Sequence, residues 1–299
     1  MLERLIYYSA LALSRLPWGL LYGVSSALSW LAFRLKFYRW ETVWGNLALA
    51  FPEKSEAERR RIARGFYRHL TDSMVETLKM LTVSDAALRR RVDFAGWDQL
   101  REEVDARRPV VLYLGHYGNW EMVPTIVWAI PKEFVCAQIY KPMHHSLGHR
   151  VWERVRNRFG ALNIPQKSAY YRLLQLQRAG QISITGFIAD QRPNGGFRHW
   201  TRFLGLPTAY VVGGEEIGRR IDAAYYYLDI DVAGRGRSLF TLKKVWPAAD
   251  EPDYPMTVGY LRMLEATIRR NPAPWLWSHK RWAGQLDHKF ENIKEHTAE

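Results

Sequence analysis

Short apolar runs alternate with segments of helical spacing from residue 109 onward, and this alternation restricts the fold more than any other feature of the chain. Helical patterns fill the intervals and are expected to begin near Glu121, Ser146, Ala169 and Thr208. Strands that alternate with helices form a mostly parallel sheet covered by helices. We therefore predict an α/β fold with a mostly parallel central sheet flanked by helices. The predicted strands cover residues 109–114, 133–140, 181–189, 223–232 and 239–245.

An uncharged run lies near the beginning of the chain. Residues 16–33 contain no charged side chain, and this length reaches the lower limit of a transmembrane helix. A buried core helix and a cleaved signal peptide are the alternatives. We favour a membrane-associated helix that either spans the bilayer or lies in its interface. The chain is thus divided into an N-terminal hydrophobic anchor, residues 1–36, and a second domain, residues 37–299.

Basic residues follow the uncharged run directly. Arg34, Lys36 and Arg39 would lie on the cytoplasmic side of a membrane by the positive-inside rule. With one candidate span, we expect the second domain to lie in the cytoplasm against the inner leaflet. Further along, Ser55 and Glu58 have the spacing of a capping box and predict the start of a long amphipathic helix.

The chain is strongly basic, with a formal net charge of +13 over 299 residues. Such a charge favours an anionic partner, which could be nucleic acid, acidic lipid headgroups or an acidic carrier protein. No nucleic-acid recognition motif is present, so we do not expect nucleic-acid binding. The single cysteine, Cys136, excludes a disulfide within the chain.

The stretch LGHYGNWEM, residues 114–122, follows an apolar run and is the strongest candidate for an active site. On a continuous helix the side chains of His116 and Glu121 would lie about 140° apart. Gly118 permits a turn between them, and Asn119 is a good N-cap for a helix that begins with Glu121. The carboxylate is then expected to fold back onto the imidazole.

A carboxylate on Nδ1 of His116 would fix the tautomer and support the imidazolium that forms when Nε2 takes a proton. No serine accompanies the pair, so the substrate would bring its own hydroxyl, which His116 deprotonates as general base. The alternative is a buried histidine that a nearby acid satisfies. From spacing alone both interpretations stay open.

Polar loops follow three of the predicted strands and should meet at one edge of the sheet. They are GHYGNWE after the first strand, YKP after the second and DQRPNGG after the third. His145 and His149 have helical spacing for a metal, but no third ligand has suitable spacing, and we expect no metal site. The candidate substrate-binding residues are Asn119, Lys141, Arg156, Arg158, Asp190 and Gln191.

The GHYGNWE block resembles the H-x4-D/E motif of glycerolipid-type acyltransferases. More narrowly, the chain resembles the late lipid A biosynthesis acyltransferases, the lauroyl and myristoyl acyltransferases of Gram-negative bacteria. The resemblance extends through NLALAFPEKSEAERRRI, YKP, the RNRFG stretch at 156–160, ADQRPNGG, RFLGLPTA and WLWSHKRW. Each piece is weak alone, whereas their order and spacing together are specific.

This resemblance implies transfer of a fatty acyl chain from acyl carrier protein, or from coenzyme A, to a hydroxyl of a lipid A precursor. It implies a glycerolipid acyltransferase-like fold at the cytoplasmic face of the inner membrane, with His116 as base and Glu121 as its partner. Arg158, Asp190 and Gln191 match the family pattern near the substrate. A basic protein suits both an acidic carrier and an anionic lipid. No metal or redox cofactor is needed, because a thioester is already activated.

Other functions remain as alternatives. The acceptor could be another membrane lipid. A membrane-associated glycosyltransferase or hydrolase could use Glu121 and Asp190 as paired carboxylates, which requires the two to face one another across a sugar site. A membrane scaffold without catalytic activity would explain the apolar N-terminus but not the His–Glu turn.

Overall fold

The computed structural model describes residues 2–140, 149–194 and 196–285. Within them the α-helices are α1 (Leu2–Ser14), α2 (Trp18–Arg34), α3 (Trp40–Ala50), α4 (Glu56–Lys79), α5 (Asp85–Arg89), α6 (Leu100–Asp105), α7 (His149–Asn157), α8 (Ala169–Arg178), α9 (Gly213–Arg220) and α10 (Pro255–Arg270). Short 3-10 helices cover Trp97–Gln99, Trp120–Trp128 and Gln166–Ser168. The strands are β1 (Val92–Ala95), β2 (Val110–Leu114), β3 (Phe134–Tyr140), β4 (Leu162–Pro165), β5 (Ile182–Ile188), β6 (Trp200–Phe203), β7 (Leu206–Ala209), β8 (Ala224–Gly234) and β9 (Arg237–Lys244).

Seven of these strands form one sheet in the order β1-β9-β8-β2-β5-β3-β4. All neighbours are parallel except β8 and β9, which form an antiparallel hairpin. The prediction of a mostly parallel α/β sheet is therefore confirmed, and the five predicted strands are β2, β3, β5, β8 and β9. β1 and β4 were not predicted, because four residues are too few to show a periodic pattern.

One predicted helix is wrong. Thr208 lies in β7, which pairs with β6 in a small antiparallel hairpin outside the main sheet. The helix that was expected there begins at Gly213 instead. Apolar spacing over a few residues does not distinguish a short strand from the first turn of a helix.

The capping box of α4 is confirmed. The hydroxyl of Ser55 accepts the backbone N–H of Glu58, and the carboxylate of Glu58 accepts the backbone N–H of Ser55 at 2.9 Å. This exchange satisfies donors that a helix start otherwise leaves unpaired. The helix continues to Lys79 and supports α2 along one side.

Helix α2 packs on α4 with its small polar residues inward. Ser25 and Ser29 are buried, and the hydroxyl of Ser25 lies 2.5 Å from a carboxylate oxygen of Asp72 and 2.9 Å from the hydroxyl of Thr71. Most of the large apolar residues are exposed instead, although Leu21 is buried. Those on the outer face are between 45% and 64% exposed: Leu20, Val24, Leu28, Trp30 and Leu31. Helices of water-soluble proteins show the opposite arrangement.

The turn between β8 and β9 fastens α2 to α4. The guanidinium of Arg235 donates to both carboxylate oxygens of Asp72, at 2.9 and 2.6 Å, and to the backbone oxygen of Tyr22 at 3.0 Å. Arg235 thus joins three separate elements through one planar group.

Among the described residues, no single helix is long and apolar enough to cross a bilayer alone. α1 and α2 together satisfy the length and composition, but the two are bent by 117° at the break between them.

Candidate active site

The centre of the site lies where two neighbouring parallel strands end. β2 and β5 pair in register from Val110 with Ile184 to Leu114 with Ile188. His116 comes two residues after the end of β2, and Asp190 two residues after the end of β5. Nδ1 of His116 lies 2.6 Å from Oδ1 of Asp190. The prediction that polar loops after these strands meet at one edge is confirmed for these two residues.

Asp190 is held from several sides. Its Oδ2 accepts the backbone N–H of His116 at 2.8 Å and the indole N–H of Trp275 at 2.9 Å. Burial alone would raise the pKa of Asp190. The charge of His116 and the hydrogen bonds from His116 and Trp275 outweigh burial, so the pKa of this carboxyl lies below its ordinary value. Asp190 is therefore a fixed, ionised acceptor for Nδ1–H.

Gly115 allows this close approach. A Cβ at this position would lie 2.7 Å from the side chain of Leu264 and 3.3 Å from Oδ2 of Asp190. The hydroxyl of Tyr260 donates to the backbone oxygen of Leu114 at 2.8 Å and fixes the end of β2. The backbone that carries His116 is thus packed between α10 and the end of β5.

Gln191 lies on the other side of the imidazole. Its Nε2 is 3.1 Å from Nε2 of His116, so the carboxamide and Asp190 contact the two ring nitrogens of one histidine. The next residue is also anchored, because the backbone N–H of Arg192 donates to Nε2 of His279 at 3.1 Å. Burial lowers the pKa of His279 to about 4, which keeps its ring neutral and able to accept at pH 7.

The predicted partner of His116 is wrong. Glu121 does not hold Nδ1; its carboxylate lies 3.4 Å from the guanidinium of Arg156 on α7. The chain turns at Gly118, with φ of +61°, and then winds as the 3-10 helix that starts at Trp120. This path places the Trp120 ring edge-to-face on His116, with 5.2 Å between centroids.

Asn119 occupies the predicted N-cap position before the turn that contains Glu121, but its side chain has other contacts. It makes no capping hydrogen bond, and its amide donates to Oε2 of Glu76 on α4 at 2.9 Å. Tyr22 on α2 donates to the other carboxylate oxygen at 3.2 Å. Burial raises the pKa of Glu76 to about 7, although the hydrogen bond from Asn119 opposes it. The turn after β2 is thereby connected to the N-terminal helices.

An apolar cavity of about 600 Å³ opens beside this turn. Trp120 and Glu121 form one end of its lining, and α2 and α4 form its long walls. The residues of these walls are mostly apolar and include Leu28, Leu31, Leu35, Leu70 and Met74. Trp120 also contacts the ring of His116, so one residue joins the lining of the cavity to the imidazole.

Two further predicted site residues, Arg156 and Arg158, have different contacts. Arg156 contributes to the site through Glu121. Arg158 does not face the imidazole; its guanidinium donates to the backbone oxygens of Met80 and Val83 and to Asp85. These contacts fasten the end of α7 to the segment after α4 and explain Arg158 without a substrate.

Lys141 and His145 lie outside the described residues, as does the side chain of His149. Within the part that the structure describes, no three or more His, Cys, Asp and Glu side chains are grouped as a metal site requires.

Sequence reasoning missed Trp275 and His279 as parts of the site. Both belong to WLWSHKRW, whose indole and cationic groups suggested an acyl or headgroup contact or simple packing, but no contact with His116 or Asp190. Its mixture of indole, imidazole and cationic groups after the last helix was a usable signal, because each of these side chains can hydrogen-bond while buried. Their partners could not be named without the strand order.

Chemically, the arrangement is suited to general-base catalysis. Nδ1 of His116 is held by an ionised carboxylate, the ring is 17% exposed, and Nε2 faces away from that carboxylate. A base of this kind can remove a proton from a hydroxyl that is placed against Nε2. The apolar cavity next to it is suited to a long hydrocarbon chain.

A profile of the family described as bacterial lipid A biosynthesis acyltransferase matches residues 4–283. Among curated proteins, the chain is 29% identical over 119 residues to the lipid A biosynthesis myristoyltransferase of Escherichia coli (strain K12), which covers 38% of this chain and 35% of that protein. It is 28% identical over 108 residues to the lipid A biosynthesis lauroyltransferase of the same strain, with 36% and 35% covered. It is 28% identical over 116 residues to lipid A biosynthesis acyltransferase 2 of Shigella flexneri, with 38% and 36% covered. The aligned region thus spans about a third of the length of these relatives.

Proposed function

The chain belongs to the bacterial lipid A biosynthesis acyltransferase family, and from this premise we propose that it is an acyltransferase. Its reaction moves a fatty acyl chain from an acyl thioester to a hydroxyl of a lipid A precursor. The observation that carries the proposal is the His116–Asp190 pair, 2.6 Å apart, beside an apolar cavity of about 600 Å³ whose lining residue Trp120 contacts the His116 ring.

His116 is the general base in this proposal and Asp190 its partner. The acceptor O–H donates to Nε2, and its oxygen attacks the carbonyl carbon of the thioester as the proton passes to the ring. The tetrahedral intermediate then collapses, the C–S bond breaks, and the proton returns from Nε2 to the leaving thiolate. Asp190 stabilises the imidazolium between these steps but takes no proton.

The cavity binds the acyl chain, and its walls on α2 and α4 set the direction in which the chain lies. Glu121 also lines the cavity, and its ion pair with Arg156 is available to polar groups of the acceptor. Among polar residues near the base, Asn119 shapes the turn and Gln191 contacts Nε2.

The donor is acyl carrier protein, with coenzyme A as the alternative carrier. A chain with a net charge of +13 attracts an acidic carrier and a phosphorylated lipid alike. Specificity between the two carriers does not follow from charge, because both are anionic.

The outer faces of α1 and α2 bind the inner membrane in this proposal. Large apolar side chains on these faces are exposed to solvent in the isolated chain, with Trp30 64% and Leu5 64% exposed. Patches of this kind mark membrane or protein contacts. Residues 1–36 then act as the anchor of an acyltransferase domain, residues 37–299, which lies on the cytoplasmic face.

The test is a transfer assay with the full chain in detergent, an acyl-loaded carrier protein and a lipid A precursor, read by mass spectrometry. The wild-type protein should add one acyl chain, and His116→Ala should lose transfer by at least about 10³-fold. His199→Ala, which removes an imidazole outside the site, is the control and should retain transfer. Transfer by His116→Ala at the wild-type rate would refute the assignment of the base.

The glycosidase alternative has less support. It needs two free carboxyls that face one another across a sugar. Asp190 is instead enclosed by His116 and Trp275, and Glu121 is paired with Arg156.

A further inference from the structure

We infer that the Gln191 carboxamide is a displaceable cap on the base, occupying the position on Nε2 of His116 that the acceptor hydroxyl must take. The inference rests on the proposed function, because it assigns a role to the same nitrogen. It differs from a substrate-binding role for Gln191, since a cap competes with the acceptor instead of holding it.

The hydrogen bonds of the ring fix which group donates. Nδ1 lies 2.6 Å from a buried carboxylate, so Nδ1 carries the proton of the neutral ring. Nε2 is then the unprotonated nitrogen and can only accept. The Gln191 nitrogen at 3.1 Å is therefore the donor. Its hydrogen bond occupies the lone pair of Nε2 that must accept the proton of the substrate.

The residues on both sides of Gln191 are each held by several hydrogen bonds, whereas the side chain of Gln191 itself is held by one in the described part of the chain. Asp190 accepts hydrogen bonds from His116 and Trp275, and the backbone N–H of Arg192 donates to His279. The Arg192 guanidinium also donates to the backbone oxygen of Ala283 at 2.7 Å. Within the described ranges, the contact with His116 is the one hydrogen bond of the Gln191 carboxamide.

This difference in restraint determines how the site opens. The acceptor hydroxyl can replace the carboxamide by a rotation of one side chain, with no movement of the loop. One hydrogen bond to Nε2 is exchanged for another. In the resting state the cap holds the ring in one orientation. It also keeps water away from Nε2, where the base would activate the water to hydrolyse a bound thioester.

The test is steady-state transfer by Gln191→Met in the full chain, with the acyl donor saturating and the lipid A precursor varied. Methionine keeps the length of the side chain but cannot donate to Nε2. KM for the acceptor should fall about 2- to 10-fold, the value of one neutral hydrogen bond, and background thioester hydrolysis should rise. Gln181→Met, an exposed glutamine away from the site, is the matched control. An unchanged or raised KM overturns the inference.

A second measurement does not depend on acyl transfer. In protein labelled with 15N-histidine and without substrates, the Nε2 resonance of His116 should move when Gln191→Met removes the donor, and should stay in place in Gln181→Met. A resonance that is unmoved in both variants overturns the cap. If the wild-type protein transfers no acyl chain, the proposed function fails, while this spectrum still decides whether Gln191 donates to His116.

Discussion

Asp190 reaches Nδ1 of His116 across 74 residues of sequence, whereas Glu121, only five residues from His116, contacts Arg156. The long-range pair forms because β2 and β5 are neighbours in the sheet and end at the same level. The support of the base therefore comes from sheet topology and not from the local turn.

This relationship predicts effects of very different size on kcat for two conservative substitutions. Asp190→Asn should lower kcat by about 10³- to 10⁴-fold, because an amide no longer fixes the tautomer or supports the imidazolium. Glu121→Gln loses only a long ion pair and should lower kcat by about tenfold or less. Both are measured in the transfer assay, with thermal unfolding to verify folding. If Glu121→Gln lost transfer and Asp190→Asn retained it, Glu121 would be the functional partner of His116.

Arg158 should matter for stability more than for substrate binding. Arg158→Met removes charge-assisted hydrogen bonds to the backbone oxygens of Met80 and Val83, which are left without these donors. We expect the free energy of unfolding to fall by about 2–3 kcal/mol, measured by urea titration. Arg154→Met, at an exposed position of α7, which ends one residue before Arg158, should change it by about 0.5 kcal/mol or less. A stable Arg158→Met with a higher acceptor KM would instead favour the original prediction.

Arg235 should control the attachment of the N-terminal helices. Arg235→Met leaves the Asp72 carboxylate, whose side chain is 9% exposed, without its cation and should cost about 3 kcal/mol. Limited proteolysis should then cut within α1 or α2 at least about tenfold faster, because opening of α2 becomes easier. The exposed Arg237→Met is the control. Equal cleavage rates in both variants would show that α2 is held by other contacts.

The raised pKa of Glu76 predicts a contribution to stability that changes with pH. Its pKa is raised by burial from an ordinary 4.5 to about 7, so the folded state binds more protons than the unfolded state between these values. The contribution of Glu76 to stability should therefore fall as pH rises from 4.5 to 7, by about 3 kcal/mol, and level off above pH 7.

Glu76→Gln should flatten this slope and be the more stable form at pH 8, by urea titration at fixed ionic strength. Asp72 and Arg91 also face Glu76, but they remain in both proteins and cancel in the comparison. Parallel pH profiles for the two proteins would exclude Glu76 as the origin of the slope.

The sheet could be predicted from the sequence because its central strands are buried on both faces and are therefore continuous apolar runs. The position of His116 followed from the same pattern, since it comes directly after such a run. The capping box of Ser55 and Glu58 was found because its chemistry is local.

The partner of His116 could not be found in this way. Which strands are neighbours is a property of the folded sheet, and the order of apolar runs along the chain does not contain it. Asp190 was recognised as a polar residue near the site, but its contact with Nδ1 depends on β5 lying beside β2. The contacts of Arg158 could not be predicted for a related reason, because two of its acceptors are backbone oxygens, which no side-chain pattern reveals.

His116 and Asp190 share one rigid support, because each is two residues from the end of a strand and the two strands are hydrogen-bonded in register. The conformational entropy of the two side chains is thus lost once, during folding, and is not lost again at each turnover. Heating should loosen the helices that line the apolar cavity before it disturbs the dyad. Selectivity for chain length would then degrade at a lower temperature than the chemical step itself.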